Sequence, residues 1–288
     1  MHDFLIAPFA EFDFMRRALL GALMLSLTAC PVGVFLMLRR MSLTGEAMSH
    51  AILPGAAAGF LIYGLKILPM TIGGLIAGAI VAVGAGAVAR LTVQKEDASM
   101  AAFYLISLAV GVVLVSLRGS SVDLMHVLFG TVLALNDDAL WLIMIVLAVT
   151  VLVLVILWRA LVAECLDPLF LRSVSKLGGI THQAFLGLVV LNLVAGFQAL
   201  GTLLSVGLMI LPAAGARFWT TSVLPMVGLA VVIGAMSSVG GLLLSYHASL
   251  PSGPAIILSS GAIYAASVLL GPRGALMPLL TRRTHRTG

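Results

Sequence analysis

Long apolar runs alternate along the chain with short polar or glycine- and proline-containing breaks, and the length of each run limits what it can be. The runs at 15–38, 43–65, 68–90, 99–117, 139–159, 182–200, 202–217, 223–245 and 253–271 are candidate membrane spans, since a helix needs about 20 residues to cross a bilayer. The run at 202–217 is short and reads as a broken or tilted span. The segment 122–135 is apolar but too short to cross, which predicts a re-entrant or interfacial helix. The expectation is an all-α, polytopic helical membrane protein with about eight or nine transmembrane helices plus that short helix.

Composition sharpens this picture. Of 288 residues, 61 % are hydrophobic and 9 % charged, against about 25 % charged in an ordinary soluble domain. Mean hydropathy is +1.18. A surface this apolar must face lipid. The 30 glycines are dispersed, as expected where small residues let membrane helices approach closely. With no linker or shift in composition, residues 1–288 read as one transmembrane domain.

The net charge of +5 could suggest a nucleic-acid partner, but its distribution argues against one. The basic residues stand singly or in pairs at the ends of apolar runs, where they set orientation, and form no aromatic-interleaved patch. If 161–181 is cytoplasmic and the spans alternate, then Arg39, Arg40, Arg90, Lys95, Arg159, Arg172, Lys176, Arg217, Arg273, Arg282, Arg283 and Arg286 lie inside. Only Arg16, Arg17, Lys66 and Arg118 lie outside. This bias places the C-terminus in the cytoplasm, and nine spans would place the N-terminus outside. Arg16, Arg17 and the apolar run ending at Cys30 mimic a lipoprotein signal. However, Asp3, Glu11 and Asp13 make the leading segment acidic, and the run continues to Leu38, so a retained first span is expected. Cys30 is then a buried apolar residue, and Cys165 is too distant for a CxxC site.

Ionisable groups inside spans are costly and therefore informative. Glu46 and His50 are four residues apart, which stacks them on one helix face. A carboxylate oxygen and an imidazole nitrogen together suit a divalent first-row metal. Pro54 cannot donate to the carbonyl of residue 50 and leaves a further oxygen nearby. Gly45, Gly55 and Gly59 would let a helix or an ion come close. Another reading stays open: Glu46 lies in the first turns of its helix, where the dipole favours a carboxylate, and it could pair with Arg39, Arg40 or His50. Asp123 and His126, three apart, form either a structural pair or a second polar patch near the outer mouth. Asn192 and Gln198 are expected to hydrogen-bond between helices, Glu96 and Asp97 to form a solvated inner loop, and His247 to be interfacial. No phosphate-binding loop, H-E-x-x-H or nucleophile elbow occurs, so ATP, if used, is bound by another chain and the protein is not itself an enzyme.

Between the fifth and sixth spans, 164–179 reads as a short surface helix. Asp167 is its N-cap, Pro168 its first position, Lys176 lies near its end and Gly178 just past it. Leu169, Phe170 and Val174 are apolar for a surface segment. Docking into a partner's groove and packing on the bundle's own face are both open from the pattern.

At four places the chain resembles the manganese, zinc and iron permeases of bacterial ATP-binding-cassette importers. These are R-R-M-S-L-T-G-E-A-M-S-H-A-I-L-P-G at 39–55, D-L-M-H-V-L-F-G at 123–130, Q-A-L-G-T-L-L-S-V-G-L-M-I-L-P-A-A-G-A-R at 198–217 and S-Y-H-A-S-L-P-S-G-P-A at 245–255. They occur in the family's order, and the resemblance covers about 35–272. It implies a multi-pass permease of the bacterial cytoplasmic (inner) membrane that imports Zn²⁺, Mn²⁺ or Fe²⁺ by alternating access. The implied partners are a second copy, two ATPase subunits and a metal-binding delivery protein. No permanently bound cofactor is implied, only the transported ion. Glu46 and His50 map to the candidate ion contacts. Asp167, Pro168, Leu169, Phe170, Arg172, Lys176 and Gly178 map to the segment that seats in the ATPase. Two departures stand out: Glu46 occupies a position more often aspartate, and 97–104 lacks the usual Ile-Gly pair. The rival classes are a proton- or sodium-coupled transporter, which would want several mid-membrane carboxylates, and a membrane scaffold that moves nothing.

Overall fold

The computed structural model describes residues 7–64, 66–117, 135–166 and 177–276, and every regular element among them is an α-helix. A short α1 (Ala7–Glu11) leads into α2 (Asp13–Leu38), followed by α3 (Ser42–Ala51), α4 (Leu53–Tyr63), α5 (Ile67–Leu91) and α6 (Glu96–Leu117). The second half contains α7 (Asp137–Leu166), α8 (Leu177–Leu200), α9 (Thr202–Ala216), α10 (Val223–Ala248) and α11 (Ser252–Leu270). Among the described residues, seven helices are long and apolar enough to cross a membrane: α2, α5, α6, α7, α8, α10 and α11. The other two expected crossings are made differently. The run at 43–65 is not one helix but α3 and α4, divided at Ile52. The cause is Pro54 in the first turn of α4, where its missing N–H is tolerated but cannot continue the preceding helix. The run at 202–217 is α9, whose 15 residues span only about 22 Å.

Helices α2 and α8 form the centre: 72 % of each one's most apolar stretch is buried, against 17 % for α6 and 22 % for α7. The short α9 packs among α2, α8, α10 and α11, with Leu204, Leu208, Met209, Ala213 and Ala216 fully buried. Because these residues are covered by protein, most of this short helix does not need to face lipid. Two close approaches depend on glycine. A Cβ on Gly55 would lie 1.9 Å from the carbonyl oxygen of Gly73, so α4 and α5 touch backbone to backbone. A Cβ on Gly33 would lie 1.7 Å from the Met209 carbonyl oxygen, and the same holds for α2 and α9.

Contacts sort the helix ends into two sets. At one end Arg39 pairs with Glu164, while Arg273 donates from its backbone to the Phe218 carbonyl at 3.1 Å and from Nη2 to Thr221 Oγ1 at 3.2 Å. At the other, Arg17 pairs with Asp137 at 2.9 Å, and Phe12 packs at a tilt against Tyr246 with centroids 5.9 Å apart. This is the alternation that the distribution of arginines predicts.

Of the expected surface helix, Glu164 and Cys165 belong to the last turn of α7 and Gly178 to the first turn of α8, so the flanking helices extend into it from both sides. Residues 167–176, with Asp167, Pro168, Leu169, Phe170, Arg172 and Lys176, lie outside the described residues, as do Asp123 and His126.

Candidate functional site

Helix α2 ends in a tight turn that sets the direction of α3. The Arg40 N–H donates to the Met37 carbonyl (3.1 Å) and the Met41 N–H to the Leu36 carbonyl (2.8 Å). Arg40 takes the left-handed conformation, φ 59°, at the position where helix-ending turns of this type usually place glycine. After the ten residues of α3, Ile52 ends the helix, its N–H directed at the Met48 and His50 carbonyls. The neighbouring Ala51 carbonyl accepts from the Ser107 hydroxyl of α6 at 2.9 Å. The helix bearing Glu46 and His50 is therefore a separate ten-residue rod, held by a turn at one end and by α6 at the other.

Beside this rod is an open-sided pocket of about 450 Å³, walled by α3 and α6. Glu46 and His50 both line it, as their spacing predicts, and face Asp97 and Tyr104 from α6 across it, with Arg40 at its edge. Met100 and Leu108 supply part of the apolar lining. Glu46 is exposed into the open side. Among the described residues its carboxylate has no ion-pair partner. Arg39, one of its expected partners, is held instead by Glu164. The imidazole of His50 lies against Tyr104, ring centroids 6.4 Å apart, and its Nδ1 is buried with no hydrogen-bond partner. A buried imidazole nitrogen ordinarily finds a partner, so this one is spare coordinating capacity. No group of three or more His, Cys, Asp or Glu able to hold a metal occurs among the described residues. At this pocket the described residues thus offer Glu46 and His50 as donors and not a complete cage.

Other polar residues serve packing. Asn192 Nδ2 donates to Thr150 Oγ1 on α7 and to the Leu188 carbonyl, both at 2.9 Å, the expected inter-helix role. Gln198 departs from its expected bond, since its Nε2 is buried without a partner. Cys30 is buried and its thiol donates to the Leu208 carbonyl. His247 is exposed beside Tyr246 at the end of α10.

Two features escape sequence reasoning. Asp97 and Tyr104 join the site only because α6 packs on α3; along the chain, Asp97 looks like part of a solvated loop. A buried cluster of Arg39, Glu164 and His182 also forms, from three residues that lie far apart along the chain. Its only signal is a carboxylate and a histidine at the ends of apolar runs, where solvated charges are equally common.

A bundle of membrane-length helices, seven of them long and apolar enough to cross a bilayer among the described residues, defines a polytopic helical membrane protein. The chain belongs to the ABC 3 transport family, whose profile matches residues 11–271. It is 33 % identical over 263 residues to the manganese import system permease protein ScaB of Streptococcus parasanguinis, covering 91 % of this chain and 92 % of that protein. It is 30 % identical over 267 residues to the manganese transport system membrane protein MntC of Listeria monocytogenes, covering 93 % and 94 %. The solved structure of PsaBC from Streptococcus pneumoniae in complex with Fab superposes with a TM-score of 0.85 at 31 % identity, covering 97 % of this chain and 100 % of that one.

Proposed function

We propose that the chain is the permease subunit of an ATP-driven importer of divalent transition-metal ions (Mn²⁺, Zn²⁺ or Fe²⁺), with Glu46 and His50 as the ion contacts. Family membership and the manganese permeases among the relatives support the transport class. The observation that carries the site is the pairing, in one pocket, of an unpartnered carboxylate with an imidazole whose buried Nδ1 has no hydrogen bond. An oxygen and a nitrogen donor suit any of these ions, and two donors hold one weakly enough to release it.

A first-row ion takes about four to six donors. Two chains meeting at the open side of the pocket would double the donors to four, which is why a second copy is part of this reading. ATP is hydrolysed on two partner subunits that contact 167–176, and a metal-binding protein delivers the ion at the opposite face. The positive-inside rule supports a cytoplasmic arginine-rich end, with the C-terminus on the cytoplasmic side of the bacterial cell membrane.

The test is radiometal uptake by the reconstituted permease, ATPase and delivery protein, with and without ATP and with competing Zn²⁺, Mn²⁺ and Fe²⁺. Glu46→Ala and His50→Ala should each reduce ATP-dependent uptake to background while the complex still assembles. Wild-type uptake in the double variant would overturn the site.

A further inference from the structure

The most deeply buried charges in the described residues lie outside the ion pocket. Arg39, Glu164 and His182 form a cluster where the ends of α2 and α7 meet the start of α8. Arg39 Nη2 hydrogen-bonds Glu164 Oε1 and lies 2.8 Å from His182 Nδ1. That nitrogen is in turn 3.7 Å from Glu164 Oε1. The side chains of Arg39, Glu164 and His182 are 6 %, 4 % and 11 % exposed. The guanidinium also sits 4.7 Å over the Phe185 ring of α8, so Arg39 grips both helices.

Stability does not account for this arrangement. A buried ion pair contributes little over a well-packed apolar replacement, because desolvation offsets the attraction. The cluster is also incompletely satisfied: Arg39 Nη1 and Glu164 Oε2 are both buried without a hydrogen-bond partner. A two-bond fork would use both of these atoms. The same side chains therefore retain capacity for a second pairing if α7 and α8 shift against α2. A packed contact with two arrangements can pass motion from one site to another.

What the cluster joins is specific. Glu164 lies three residues before 167–176 and His182 lies six residues after it. Arg39 lies inside the turn that fixes α3, bracketed by its two closing hydrogen bonds (Arg40 N–H to the Met37 carbonyl and Met41 N–H to the Leu36 carbonyl) and directly followed by the left-handed Arg40. We propose that the Arg39–Glu164–His182 cluster is the mechanical link that carries movement at 167–176 to the helix bearing Glu46 and His50. These three are positioning residues and do not touch the ion. The inference rests on the importer reading above, with 167–176 as the segment that contacts the ATPase.

The test measures ATP hydrolysis and radiometal uptake together, in proteoliposomes holding the whole complex with its delivery protein. Glu164→Gln and Arg39→Gln should hydrolyse ATP near the wild-type rate while importing metal about tenfold less per ATP. The exchanged pair Arg39→Glu with Glu164→Arg should recover most of the lost stoichiometry. A merely structural role would not predict that recovery. Variants that keep the wild-type ratio of metal to ATP, or lose uptake and hydrolysis by the same factor with no recovery in the exchanged pair, would overturn the link while leaving the importer reading standing. A wild-type complex without ATP-dependent uptake would overturn the importer reading and the link with it.

Discussion

Glu46 and His50 differ in what they can tolerate. The imidazole packs beside Tyr104 of α6 and its Nδ1 is buried. The carboxylate points into the open side of the pocket and reaches by flexible bonds. Shortening that reach by one methylene, as in Glu46→Asp, keeps the donor and moves it about 1.5 Å. Uptake should persist, unlike in Glu46→Ala, but the order of competition among Mn²⁺, Zn²⁺ and Fe²⁺ should change, because ions of different preferred geometry respond differently to a displaced oxygen. Competition uptake assays on the two proteins read this directly. An unchanged order would mean that Glu46 helps to admit the ion without helping to choose it.

The helices meet through glycine contacts and one proline break. Gly55 against Gly73 and Gly33 against Met209 leave no room for a methyl group. Gly55→Ala or Gly33→Ala must therefore push a helix pair apart. Each should cost about 1–3 kcal/mol, the range for overpacking a filled interior, and lower the thermal unfolding midpoint of the purified permease in detergent. The same elements explain how well the pattern could be read. Long uniform runs such as α7 and α10 are legible from length alone, because crossing the bilayer sets a minimum. The division of α3 from α4 is less so: Pro54 marks that a break is near, but the Ser107 hydroxyl that ties Ala51 to α6 arrives from 56 residues away.

Across the whole molecule, burial is uneven. The central α2 and α8 are mostly buried while α6 and α7 are mostly exposed, so the pocket between α3 and α6 lies toward the periphery of a single chain. If Glu46 and His50 are the ion contacts proposed above, a two-fold pairing would bring two such patches together, since each copy would present the same patch to the other. The expected stoichiometry is one ion for every two permease chains, measurable by elemental analysis of the purified complex against protein mass. One ion bound to each isolated chain would remove the need for a partner in the site.

The amino-acid sequence by itself determines the solvent of this protein, the number and placement of its apolar runs, the end at which its arginines gather, and the i, i+4 pairing of Glu46 with His50. All of these follow from local length, composition and helical periodicity. Only the tertiary structure decides that Arg39 belongs to Glu164 and His182 rather than to Glu46. It also decides that Asp97 and Tyr104 face the same pocket, and that the short α9 can be enclosed. Those outcomes depend on which helices become neighbours. In a chain whose spans are almost uniformly apolar, that choice is made by close-packed glycines and a few buried polar contacts, and these cannot be paired until the helices are side by side.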